Sequence, residues 1–194
     1  MEQFKSQSQT GHARALARQG ETWNFGSGLQ AITPVVRVNV DYYKELGITK
    51  YTRTNRDAMT PGHVDTKGVP YKVYDPGAQI LRCFQCHSTG PLRLTEKEGI
   101  QPFEMGVTCE TCHGPGADHV RDAQRKWIEK DDTVKTDSHI DVPDKDNCLQ
   151  CHNTDSPTWD PKRYTLEDGT TTGFDYRQAK KRAIHPASDM RAAK

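Results

Sequence analysis

Cys109-Glu110-Thr111-Cys112-His113-Gly114-Pro115-Gly116 is the stretch on which the reading of the fold turns. Thiols three residues apart lie on one face of a helical turn, and the imidazole of the next residue projects beside them. Gly114 favours a helix C-terminus and Pro115 cannot continue a helix, so this one is short. The arrangement recurs upstream as Cys83-Phe84-Gln85-Cys86-His87 and downstream as Cys148-Leu149-Gln150-Cys151-His152, which together use all six cysteines of the chain. Thr108 and Asn147 are the expected helix caps before the second and third repeats.

C-x-x-C-H is the attachment signature of c-type haem. Both thiols reach the vinyl groups on one edge of the porphyrin, and the following His becomes an axial ligand of the iron. The expectation is three covalently bound haem c groups with iron, anchored by Cys83, Cys86, Cys109, Cys112, Cys148 and Cys151 and ligated by His87, His113 and His152. Two rivals fit less well. A four-cysteine zinc site could use the first two pairs, but it strands the third and gives no role to the His after each pair. A thioredoxin-like motif needs one pair near a βαβ unit, not three pairs in so short a span.

The composition points the same way. The chain has 194 residues, enough for one ordinary domain or two small ones. Leu, Ile, Val and Phe make up about 16% of it, below the roughly 20% at which disorder becomes a concern. The formal net charge is only +1, so the other half of the disorder signature is missing. Three large flat apolar cofactors would supply the core that the side chains do not. Near-neutral charge argues against a nucleic-acid partner. No run approaches the roughly 18 apolar residues of a membrane span. Residues Met1 to Lys5 do not begin a secretory signal. Covalent haem attachment is normally an extracytoplasmic event, so the expectation is a periplasmic or otherwise extracytoplasmic protein from which a signal or upstream segment was removed.

Five further histidines are candidates for the second axial position: His12, His63, His119, His139 and His185. Met105, Met59 and Met190 compete, and Met ligation raises the potential; five spare imidazoles favour bis-histidine coordination. His12 falls with Ala15, Leu16 and Gln19 on one face of an expected helix, so a buried structural His is the alternative role. His119 opens an expected helix over about 117 to 130, on a face running through Ala123 toward Trp127. His185 ends the expected helix that starts at Phe174, with Pro186 marking the stop. His63 follows the Thr60-Pro61-Gly62 turn and is held in reserve, and His139 lies in a polar loop between Asp137 and Asp141.

Residues 1–80 carry no haem motif and are expected to pack on the haem core. In them Ala31 to Val40 reads as a strand, with Pro34 favouring an edge. Tyr51-Thr52-Arg53-Thr54 and Tyr71-Lys72-Val73-Tyr74 are its short partners. Residues 81–155 form the three-haem core, and residues 156–194 end in a helix. One compact domain is expected overall. The fold class expected is mainly α with irregular loops and a few short N-terminal strands, built around haem.

Gly106-Val107-Thr108-Cys109 through Asp118-His119 resembles a stretch of multihaem cytochromes of the cytochrome c-554 family. Thr10-Gly11-His12-Ala13-Arg14-Ala15-Leu16, Thr60-Pro61-Gly62-His63 and the end from Phe174 to Pro186 are similar to the same group. The resemblance implies a mainly helical fold with haems in close stacked and angled pairs, periplasmic electron transfer, and distal histidines drawn from distant segments. Members typically carry a fourth haem motif just ahead of the segment matching His12. This sequence has three, which leaves a natural three-haem variant and a truncated chain both open. In relatives the His matching His119 can serve that first haem, so its iron here stays open as well.

Three uses remain: an electron carrier between redox partner proteins outside the cytoplasm, a redox enzyme acting on a small nitrogen or sulfur compound at an open haem, and a subunit of a larger conducting haem assembly or oligomer. No residue stands out as catalytic.

Overall fold

The computed structural model describes residues 7–61, 63–75, 79–135, 140–141, 143–153 and 174–183. Its main body is antiparallel β structure, which overturns the expectation of a mainly α fold. Seven short strands make one sheet: β1 (Leu16–Gln19), β2 (Thr22–Phe25), β3 (Ala31–Arg37), β4 (Tyr42–Glu45), β5 (Ile48–Tyr51), β6 (Arg56–Met59) and β7 (Val69–Lys72). The order is β1-β2-β3-β4-β7, with β5 bridging β3 and β6. A separate hairpin pairs β8 (Ser88–Thr95) with β9 (Gly99–Met105). The described helices are α1 (Gln79–His87), α2 (Cys109–His113), α3 (Ala117–Trp127), α4 (Lys145–Leu149) and α5 (Tyr176–Ala183).

Alternation explains the sheet. Trp23 and Phe25 of β2, Tyr43 and Glu45 of β4, and Thr49 and Tyr51 of β5 point inward, with more exposed residues between them. α1 lies across the core, and Phe84, inside the first C-x-x-C-H, is its plug. The Phe84 ring meets Trp23 edge-on at 4.8 Å and Phe25 at 5.1 Å, and Ile80 is buried with it. Tyr43 closes the far side, its hydroxyl accepting from Ile100 N of β9 at 2.8 Å. This core leans on Trp and Tyr, which the count of Leu, Ile, Val and Phe leaves out.

Two local expectations also change. Pro34 is not on an edge: β3 runs inside the sheet, with β2 on one side and β5 then β4 on the other. Pro lacks an N–H, and position 34 falls where the neighbour switches from β5 (Ala31, Ile32) to β4 (Val35 onward), so no ladder bond is lost. The segment Gly11 to Ala17 is a turn running into β1 rather than a helix. Thr10 Oγ1 bonds Gln7 O and Ala13 N, and Leu16 is then claimed by the core through its pairing with Phe25. Non-local pairing overrode the 3.6-residue spacing here.

A buried polar chain lies in the sheet. Glu45 accepts from Gly47 N at 3.0 Å and Thr60 Oγ1 at 2.9 Å, and pairs with His63 Nε2 at 2.7 Å. Thr49 and Thr33 extend it at 3.1 and 2.8 Å. The carboxylate is thus satisfied on both oxygens.

Candidate haem-binding site

The first two C-x-x-C-H motifs are helical, whereas the third begins in a helix that ends at Leu149 and goes on as a turn through Cys151, and the three are held differently. α1 is fixed by the core and ends where Ser88 Oγ donates to Phe84 O at 2.6 Å, turning the chain into β8. α2 is tied to β8 by Thr89, whose hydroxyl bonds Gly106 O at 2.9 Å, Thr111 Oγ1 at 2.6 Å and Thr108 N at 2.8 Å. Thr108 occupies the N-cap position without a capping bond, its hydroxyl turning to Glu104 instead. Gly114, at φ 73°, ends α2. α4 starts two residues before its expected cap: Asp144 is the N-cap, accepting from Asp146 N and Asn147 N, and Asn147 answers as the third residue of a capping box.

The imidazoles are oriented by bonds made far along the chain. His87 Nδ1 donates to Ala15 O at 2.9 Å and His113 Nδ1 to Asp141 O at 2.7 Å. A backbone carbonyl accepting from Nδ1 fixes the tautomer, with the proton on Nδ1 and the lone pair on Nε2. His152 is set instead by rings: Phe174 stacks on it at 4.6 Å and 7°, and His12 stands 6.0 Å away at 60°. Burial pushes the pKa values of His12, His87 and His152 down, which favours the neutral form a metal needs. His12 reaches this site because its turn pairs with the entry to α2. Val107 N donates to His12 O at 2.8 Å, and Gly106, at φ 78°, lies so close to Ala13 O that a Cβ there would collide with it.

The thiols converge. Cys86 and Cys151 line the same cleft, and the interaction between their thiols brings the Cys86 pKa down to about 7 and pushes that of Cys151 up. Burial raises Cys83 to about 11, and Cys112 lies within electrostatic reach of Cys148. Gln85 and Cys86 of the first motif, Thr111 of the second, and Gln150 and Cys151 of the third line one cleft of about 420 Å³, with Arg82 at its edge. Arg82 also donates to Asn153 Oδ1 at 3.1 Å, bracing α1 against the end of the third motif. An apolar groove of about 430 Å³, lined by Leu81, Gln85, Leu92 and Ile100 among others, adjoins α1. Paired thiols, imidazoles whose Nδ1 bonds put the lone pair on Nε2 at His87 and His113, and clefts beside them fit covalently held haem.

The structure brings His12 to the site and turns His63 Nε2 toward Glu45. His119 is half-buried on α3, but Trp127, expected to share its sheltered face, is 67% exposed. Met59 and Met105 are exposed. His139, His185 and Met190 lie outside the described residues. The carbonyls of Ala15 and Asp141 were invisible to sequence reasoning, since any residue supplies one. Phe174 was read only as the start of a helix.

The profile of the family described as Cytochrome c554 and c-prime matches residues 49–114, about a third of the chain, including the first two motifs. The crystal structure of the outer cell wall cytochrome OcwA is similar at 20% identity and a TM-score of 0.48, covering 88% of this chain and 37% of that one. The chain thus spans well under half of that protein's length. Comparison with curated proteins found no match. The family match supports an electron-transfer cytochrome of c type, with covalently bound haem c and its iron. Among the described residues no helix is long and apolar enough to cross a membrane.

Proposed function

We propose that the protein carries three haem c groups and passes single electrons among them and on to redox partner proteins outside the cytoplasm. The observation that carries this reading is the convergence of all three C-x-x-C-H motifs on one cleft, which Cys86 and Cys151 both line. Anchors that close bring the groups they hold near enough for hopping. Haem iron supplies the one-electron chemistry; the chain fixes its ligands, its burial and the charge around it.

His87, His113 and His152 are the proximal ligands in this reading, and His12 is the distal partner of His152. The His12 and His152 ring centres stand 6.0 Å apart, close enough that the two imidazoles would hold one iron between them if haem were bound there. His119 and His185 are the distal candidates for the other two irons. His63 keeps Glu45, which holds the nitrogen a ligand would offer. Periplasmic or other extracytoplasmic action follows from the attachment chemistry, and a place in a larger assembly is compatible with it.

Low-temperature electron paramagnetic resonance on the fully oxidised protein, with spins counted against total haem, tests the carrier reading. All haems low-spin is the expected result. A stoichiometric high-spin signal would mark an open iron and favour an enzyme acting on a small nitrogen or sulfur compound.

A further inference from the structure

Asn153, the residue that follows the third motif, uses both ends of its amide. Its Nδ2 donates to Leu149 O at 3.0 Å and Gln150 O at 3.1 Å, the carbonyls of the two residues between Cys148 and Cys151. A helix leaves its last carbonyls without partners, and α4 ends at Leu149. Cys148 O takes the N–H groups of Cys151 and His152 at 3.3 and 2.9 Å, so Asn153 completes the turn that carries the second thiol and the imidazole. The other end of the amide, Oδ1, accepts from Arg82 Nη2 at 3.1 Å, and Arg82 stands immediately before Cys83. The amide orientation is settled by its partners, because a guanidinium only donates and a carbonyl only accepts. One side chain thereby shapes the third motif and ties it to the first. Arg82 is exposed and Asn153 half-buried, so the tie adds little to stability and acts on placement. The cleft beside it has the same bias: the first and third motifs line it with a cysteine each, Cys86 and Cys151, and the second with Thr111.

We infer that Asn153 is a positioning residue that sets the third motif against the first through Arg82, and that the haems of these two motifs form the most closely coupled pair of the three. This rests on the three-haem reading above. Electrons exchange fastest between the closest haems. The first and third therefore share an electron before either passes one to the second, although the second lies between them in sequence.

The experiment compares the haem-loaded wild type with Asn153→Ala, Asn153→Asp and Arg82→Ala. Peptide mass first shows which motifs carry haem; a wild type lacking haem at any motif overturns the three-haem reading and takes the inference with it. With three present, paramagnetic resonance of the oxidised protein reports the broadening that close low-spin haems impose on each other. Proteins lacking one cysteine pair each assign the signals. Asn153→Ala and Arg82→Ala are each expected to narrow the signals of the first and third haems and to change that of the second least. Asn153→Asp keeps an oxygen for Arg82 and is expected to keep the broadening. Unchanged broadening in both alanine variants, equal narrowing of all three signals, or Asn153→Asp behaving as Asn153→Ala would each overturn the inference. Should Asn153→Ala fail to load the third haem, Arg82→Ala leaves the bonds within the third motif in place and decides by the same reading.

Discussion

Position two of the C-x-x-C-H repeat is Phe84 in the first motif, Glu110 in the second and Leu149 in the third, and the three side chains have different fates. Phe84 is fully buried among Trp23, Phe25 and Tyr43, while Leu149 is half-buried and Glu110 is exposed. The helices follow suit: Ile80 and Phe84 root α1 in the sheet, whereas α2, α3 and α4 bury no residue. One part of the molecule thus has a core made of its own side chains, and the other has thiols, imidazoles and a few hydrogen bonds. A helix of five residues without a buried face does not hold itself together in water. In the three-haem reading the cofactor would hold α2 and α4 in order, whereas α1 is held by the protein's own core.

That contrast is most easily broken by removing the cofactor. A variant with all six cysteines replaced by alanine is expected to keep the sheet and α1 and to lose α2 and α4. Hydrogen exchange should then show slow amides in β2 to β4 and fast ones over residues 109–113 and 145–149. Uniform protection would refute the division, and so would uniform exposure.

Within the loaded protein the comparison is sharpened by cutting the same motif position. Phe84→Ala is expected to cost about 3–5 kcal/mol, the usual range for truncating a fully buried Phe. Leu149→Ala is expected to cost about 1 kcal/mol, as for a partly exposed side chain. Denaturant unfolding followed by tryptophan fluorescence reads both. Equal costs would mean that the two motifs are held alike.

The smallest effect concerns a cap. Asp144→Ala removes the acceptor for two backbone N–H groups at the start of α4 and is expected to cost about 1 kcal/mol or less. The loss should be larger in the protein without haem, where little else defines that helix, and thermal melts of both forms check it.

What could be read from the sequence follows the same line. The motifs are local, so the helices of the first two, the stop at Gly114 and the helix Tyr176–Ala183 were legible from a few residues each. The sheet was not. Its strands are mostly four residues long, too short for a clear two-residue period, and they are defined by partners such as Leu16 with Phe25 or Tyr43 with Tyr71. A low share of aliphatic residues was read as a core made of cofactor. The aromatic cluster around Phe84 instead gives half the chain a conventional core. At the site, the motif singles out the six thiols and the three imidazoles beside them, whereas His12 was placed with Ala15 and Leu16 on a helix that the structure replaces with a turn. Its delivery by a turn bonded to Val107, the commitment of His63 to Glu45 and the stack of Phe174 on His152 all depend on contacts between distant segments.

Intact mass spectrometry of the purified protein, made in a host that attaches haem c, tests the central claim most directly. The account predicts a mass equal to the polypeptide plus three haems, and peptides carrying haem at Cys83 and Cys86, at Cys109 and Cys112, and at Cys148 and Cys151. A homogeneous product with fewer haems, or with any of these pairs left as free thiols, would contradict it.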